Sequence, residues 1–155
     1  MRSEFSTSID DRYFEDYIVG NVHEFGAIAV TEEDIVTFAR KYDPQPFHTD
    51  PAASAQFGGL IASGWQTAGL LMRLVVEHYL SRVASLASPG VDELRWTKPV
   101  RPGDMLHVRA TVLETRPSAS RPDRGLVRTL FEVINQHGDI VMSVKAMNML
   151  KRRGH

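Results

Sequence analysis

The chain has 155 residues, 43% apolar and 24% charged, a balance that supports a single hydrophobic core. Its formal net charge of −1 provides no global field for nucleic acid or an anionic membrane. It has no cysteine, which excludes disulfides, thiolate nucleophiles and cysteine-ligated metals.

No apolar run approaches the roughly 18 residues of a membrane span. The opening Met1-Arg2-Ser3-Glu4-Phe5 has no signal-peptide apolar core behind it, so a cytoplasmic protein is expected. Residues 1 to about 20 read as an ordered arm carrying Tyr13, Phe14 and Tyr17, and His23 to Val30 as a first strand. Thr31-Glu32-Glu33-Asp34 opens a helix, with a hydroxyl cap and acids in the first turn. Ile35, Phe38, Ala39 and Tyr42 then fall at i, i+3, i+4 and i+7, which gives that helix one buried face.

Asp43-Pro44-Gln45-Pro46-Phe47-His48 cannot continue the helix, because two prolines remove donors and push the residues before them into extended backbone. Asp50 caps a short helix with Pro51 at its first position, and Gly58-Gly59 ends it. Ser63 caps a longer helix running to about Val83. Trp65, Ala68, Leu70, Leu71, Met72, Leu74, Val75, Val76, Tyr79 and Leu80 cover most of its circumference, leaving a polar stripe through Gln66, Arg73 and Glu77. Such a helix is expected to be buried on most sides.

Strands are predicted at Val91–Trp96, Met105–Glu114, Leu126–Gln136 and Ile140–Leu150. In the second, Leu106, Val108, Ala110 and Val112 face one way and His107, Arg109 and Thr111 the other. His137-Gly138-Asp139 turns the last two strands, and Arg116 to Arg124 forms a mobile loop. The fold class is α+β, with residues 1–155 as one domain: a long antiparallel sheet wrapped around a buried central helix.

Asp43-Pro44-Gln45-Pro46-Phe47-His48-Thr49-Asp50, followed by Phe57-Gly58-Gly59-Leu60-Ile61-Ala62-Ser63-Gly64, resembles the MaoC-like dehydratases and (R)-specific enoyl-CoA hydratases. Phe14-Glu15-Asp16-Tyr17-Ile18-Val19-Gly20 resembles that family's lead-in segment, and Lys98-Pro99-Val100-Arg101-Pro102-Gly103-Asp104 its bend before a long strand. The resemblance covers nearly the whole chain and implies a hot-dog fold. It also implies reversible hydration of a 2-enoyl thioester to a 3-hydroxyacyl thioester, of (R) configuration.

The chemistry suits the residues. Adding water across an α,β-unsaturated thioester needs a base, an acid and polarisation of the carbonyl. Asp43 and His48 lie at most about 17 Å apart when extended, and the prolines between them favour a turn that brings the side chains together. By resemblance, Asp43 takes the water proton and His48 shares that water. Gly64 opens a helix whose N–H groups face an anion, and it allows close approach of the thioester. Ser63 and Trp65 flank it as further substrate-binding candidates. Ser63 also reads as a cap, and Trp65, with Met72 and Tyr79, as core.

Three positions depart from the family pattern. Gln45 stands for its Asn, Ser63 for the His before the helix-opening Gly, and Gly69 for a Ser five residues on, with Thr67 the nearest hydroxyl. His23, His78, His107, His137 and His155 show no metal spacing and read as surface or structural residues. No metal or cofactor is expected; coenzyme A enters only as part of an acyl-CoA substrate. The family implies a homodimer or a dimer-based oligomer. Two rivals share the fold: an acyl-CoA thioesterase, and a non-catalytic acyl-CoA-binding subunit.

Overall fold

The computed structural model describes residues 2–155; the start of the arm, Met1, lies outside the described residues. Five strands form one antiparallel sheet: β1 (Val22–Ala29), β2 (Gly90–Trp96), β3 (Met105–Pro117), β4 (Arg124–Ile134) and β5 (Ile140–Lys151). Their order is β1-β3-β4-β5-β2. Between β1 and β2 run α1 (Glu32–Tyr42), α2 (Pro46–Thr49), a 3-10 turn at Ala52–Phe57 and α3 (Gly64–His78).

Alternation along β3 puts Leu106, Val108, Ala110 and Val112 in the core, each at most 1% exposed. Phe131 and Val133 of β4 and Val144 of β5 continue that layer, and Leu71, Leu74 and Val75 of α3 pack into it. Burying one such side chain contributes about 1.5–3 kcal/mol. Where Leu74 presses on β1 the strand bulges at Gly26, whose φ is 86°. A Cβ there would lie 2.8 Å from Leu74 Cδ2, so only glycine fits. This is the hot-dog arrangement.

The structure corrects three expectations for the central helix. It ends at His78 rather than near Val83, because its last carbonyls are taken by the N-terminal arm. Arg12 Nη1 donates to the carbonyls of His78 (3.1 Å) and Tyr79 (2.9 Å), and Tyr17 Oη donates to Tyr79 (2.7 Å). Arg12 lies over the Phe5 ring at 3.5 Å, and Phe5 stacks on buried His23 at 3.9 Å. Gln66, read as part of a polar stripe, is buried. Conversely, one apolar face of α3 is uncovered: Trp65, Met72 and Val76 are 61%, 48% and 50% exposed. They recur at i, i+7 and i+11, one side of the helix.

β3 runs on to Pro117, past the expected end at Glu114, and β4 both starts and ends two residues earlier than expected, leaving only residues 118–123 between them. Among the described residues, no helix is long and apolar enough to cross a membrane.

Candidate active site

Asp43 ends α1. Its N–H still donates to the Ala39 carbonyl, but its own backbone has left the helix, as Pro44 demands. Pro46 then occupies the first position of α2, a single turn whose last residues include His48. One helix ending and another beginning within three residues folds the loop back on itself. Asp43 Oδ2 comes to 3.2 Å from His48 Nε2.

His48 is buried, and its Nδ1 lies 2.7 Å from the Ile61 carbonyl. A carbonyl only accepts, so Nδ1 carries a proton and Nε2 is the nitrogen free to exchange one with Asp43 or a bound water. Ile61 is itself fixed by its N–H bond to the Phe47 carbonyl.

Two further side chains hold the carboxylate. Gln45 Nε2 donates to Asp43 Oδ1 at 2.6 Å, and the fully buried Ser63 hydroxyl donates to Oδ2 at 2.8 Å. The Gln45 bond chiefly, with Ser63 and the charge of His48 assisting against a partial loss of hydration, holds the Asp43 carboxyl below the usual range. Ser63 also caps α3, accepting from the Trp65 N–H at 3.3 Å. The Gly64 N–H, next in the same turn, has no backbone partner among the described residues.

A cavity of about 320 Å³ opens beside His48. Ile61, Ala62, Gly64 and Thr67 line one side, and Trp96, Thr97, Lys98, Pro99 and Val100 the other. Asp43 is not part of the lining and adjoins it through His48. The far wall is built by the bend before β3. The Ala62 N–H donates to the Val100 carbonyl, and Arg101 donates to the carbonyls of Phe57 and Gly59. Asp104 bonds the Arg101 N–H and the Gln136 amide, and so fixes the bend itself.

Trp96, the last residue of β2, was not singled out in the sequence. Its indole N–H donates to the Gly64 carbonyl at 2.8 Å, and a methyl on Gly64 would overlap its ring. Gly64 is therefore glycine for the indole as well as for any ligand. Trp65 points elsewhere: it is exposed, meets Trp96 edge-on at 5.0 Å and does not line the cavity. Gly69 is exposed with open space around it, so a Ser there would not reach the site, whereas Thr67 is buried in the cavity wall. Asp50, expected to cap the next helix with Pro51 at its first position, instead ends α2, and Pro51 precedes the 3-10 turn; the Asp50 carboxylate accepts from the Ala52 N–H at 3.0 Å.

A second, apolar cavity of about 160 Å³ lies one turn further along α3. Ala68, Leu71 and Met72 face Leu94 and Phe131 across it. Leu94 and Trp96 are alternate residues of β2, so the two cavities occupy successive stations between the same helix and strand. Among the described residues, no group of three His, Asp or Glu could hold a metal ion.

Comparison with known proteins agrees with this fold. The MaoC-like dehydratase of Rhodospirillum rubrum is 41% identical and superposes with a TM-score of 0.86, covering 93% of this chain and 99% of that one. The R-hydratase PhaJ1 of Pseudomonas aeruginosa is 30% identical, with a TM-score of 0.74 over 91% of this chain and 86% of that one. The 3-hydroxybutyryl-CoA dehydratase of Methylorubrum extorquens is 34% identical over 116 residues, 70% of this chain and 69% of its own. The model of the MaoC like domain matches residues 17–132, which span the end of the arm, the Asp43–His48 loop, α3, three whole strands and most of β4, and the chain belongs to that family.

Proposed function

We propose that the protein hydrates a 2-enoyl thioester reversibly to the 3-hydroxyacyl thioester, of (R) configuration, with the acyl group carried on coenzyme A. The observation that carries the reading is the Asp43–His48 pair, 3.2 Å apart beside a cavity, with the imidazole tautomer fixed from behind by Ile61. In the hydration direction a water held by the pair gives up a proton to it, and the water oxygen bonds to C3. The C2–C3 π electrons move toward the thioester carbonyl, and the pair returns the proton to C2. The net change is addition of one water. The Gly64 N–H, without a partner among the described residues and at the positive end of α3, stabilises the charge that grows on the carbonyl oxygen. The apolar cavity beyond Trp96 is suited to the acyl chain.

The test is loss of enoyl absorbance with crotonyl-CoA and longer enoyl-CoAs, with the chirality of the product determined. Asp43→Asn and His48→Ala are each expected to lower kcat by more than about a hundredfold, the usual scale of acid–base catalysis. Release of free thiol with no 3-hydroxyacyl thioester formed would instead indicate a thioesterase.

The uncovered strip of Trp65, Met72 and Val76 continues onto the edge strand β2, where Val91 and Trp96 are 54% and 44% exposed. We propose that a second copy of the chain covers it across a two-fold axis.

A further inference from the structure

Gln45 and Ser63 are two of the three positions where this chain departs from the pattern it resembles, and both reach the same group. Gln45 approaches from the loop, two residues after Asp43, and Ser63 from the cap of α3, twenty residues on. Between them they donate to both carboxylate oxygens of Asp43. His48 Nε2 lies 3.2 Å from Oδ2, but in the Nδ1–H tautomer it donates nothing, so Gln45 and Ser63 fill two of the roughly four acceptor positions, one on each oxygen.

We propose that Gln45 and Ser63 are a pair of positioning residues that lock the Asp43 carboxylate in one orientation and keep it ionised, with one donor on each of its oxygens. Neither needs to touch substrate. Ser63 is fully buried and outside the cavity lining, so its hydroxyl acts on the reaction only through Asp43 and the helix cap. Gln45 is exposed, so exchanging its side chain opens no cavity in the core. Among the described residues, His48 is the one ionisable group whose charge bears on Asp43, so the two neutral donors carry the rest of the effect. Hydrogen bonds to a charged acceptor favour its ionised form, and each lost donor should make the carboxyl easier to protonate.

The kinetic consequence rests on the hydratase reading, but the positioning itself does not, and the experiment separates them. The side-chain carboxyl carbon of Asp43, assigned by its absence in Asp43→Asn, is followed by NMR as pH falls. Wild type is compared with Gln45→Met, Ser63→Ala and Ser63→Thr. The titration midpoint is expected to rise by about one pH unit in Gln45→Met and in Ser63→Ala. Ser63→Thr, which keeps the hydroxyl, should stay near wild type. In crotonyl-CoA hydration the acid limb of the kcat–pH profile should move up by the same amount in the same two variants. Unchanged midpoints in the exposed Gln45→Met variant would overturn the proposal. So would a fall in kcat of equal size at every pH in both variants, which is the signature of a merely structural role. Shifted midpoints in a protein that hydrates no enoyl-CoA would leave the clamp standing and remove the hydratase reading.

Discussion

Asp43 and His48 meet because the backbone between them has few alternatives. Pro44 forces Asp43 out of α1, and Pro46 starts α2, so five residues of chain turn through one tight loop. That part of the site was legible, since everything it needs is local. The clamp was not: Ser63 reads as a helix cap in any sequence, and its second bond to Asp43 exists only because the loop docks against the start of α3. Trp96 was missed for the same reason, its contact with Gly64 joining residues 32 apart. That contact makes a stability prediction. Gly64→Ala should force the indole aside and lower stability by about 1–3 kcal/mol, the usual cost of overpacking, measured by denaturant unfolding. Trp96→Leu in the same chain should restore part of the loss, because the clash and its relief belong to one pair.

At the scale of elements, α3 shows what periodicity can and cannot say. Its start at Ser63-Gly64 was plain, because capping chemistry is local. Its end was not, because apolar residues continue past Tyr79 while the stop signal comes from Arg12, 66 residues upstream. Arg12→Met should therefore unwind the last turn. Leaving the carbonyls of Thr7 and His78 without their donor should cost on the order of 2–3 kcal/mol. Amide exchange at the C-terminal turn of α3 would check it, rising in the variant well before global unfolding. The arm also predicts a pH effect. Burial chiefly depresses the pKa of His23, with the nearby Arg12 charge adding to it, against the pull of the Ser3 carbonyl on Nδ1 and of Glu4, and its Nε2 has no partner among the described residues. The folded state thus binds a proton at His23 less readily than the unfolded chain. Stability is full above the unfolded pKa of about 6.5 and is lost as pH falls below it. Thermal melts between pH 7.5 and 5.5 should show this decline, and His23→Gln should flatten it.

For the whole molecule, the sequence conveyed the sheet and the helix it encloses, since β3 and β4 repeat at period two and α3 at 3.6. It conveyed less about coverage. A helix apolar all round must be covered, but sequence cannot say by which chain, and here Trp65, Met72 and Val76 are left open. If a second copy covers them, light scattering should give twice the chain mass at micromolar concentration. Val76→Glu, placing a charge in that strip, should shift the equilibrium toward the single chain without lowering the stability of the folded subunit. A single-chain mass for the wild type would rule out the dimer.

The two tryptophans of the chain, Trp65 and Trp96, lie edge to face at 5.0 Å, and one of them walls the cavity. All of the indole emission of this protein therefore originates at the mouth of one site, and Trp96 holds its ring N–H on the Gly64 carbonyl. No label has to be introduced: excitation near the red edge of the indole band should report ligand arrival, subunit association or displacement of the Gly64 turn as a change in a single, already localised optical signal.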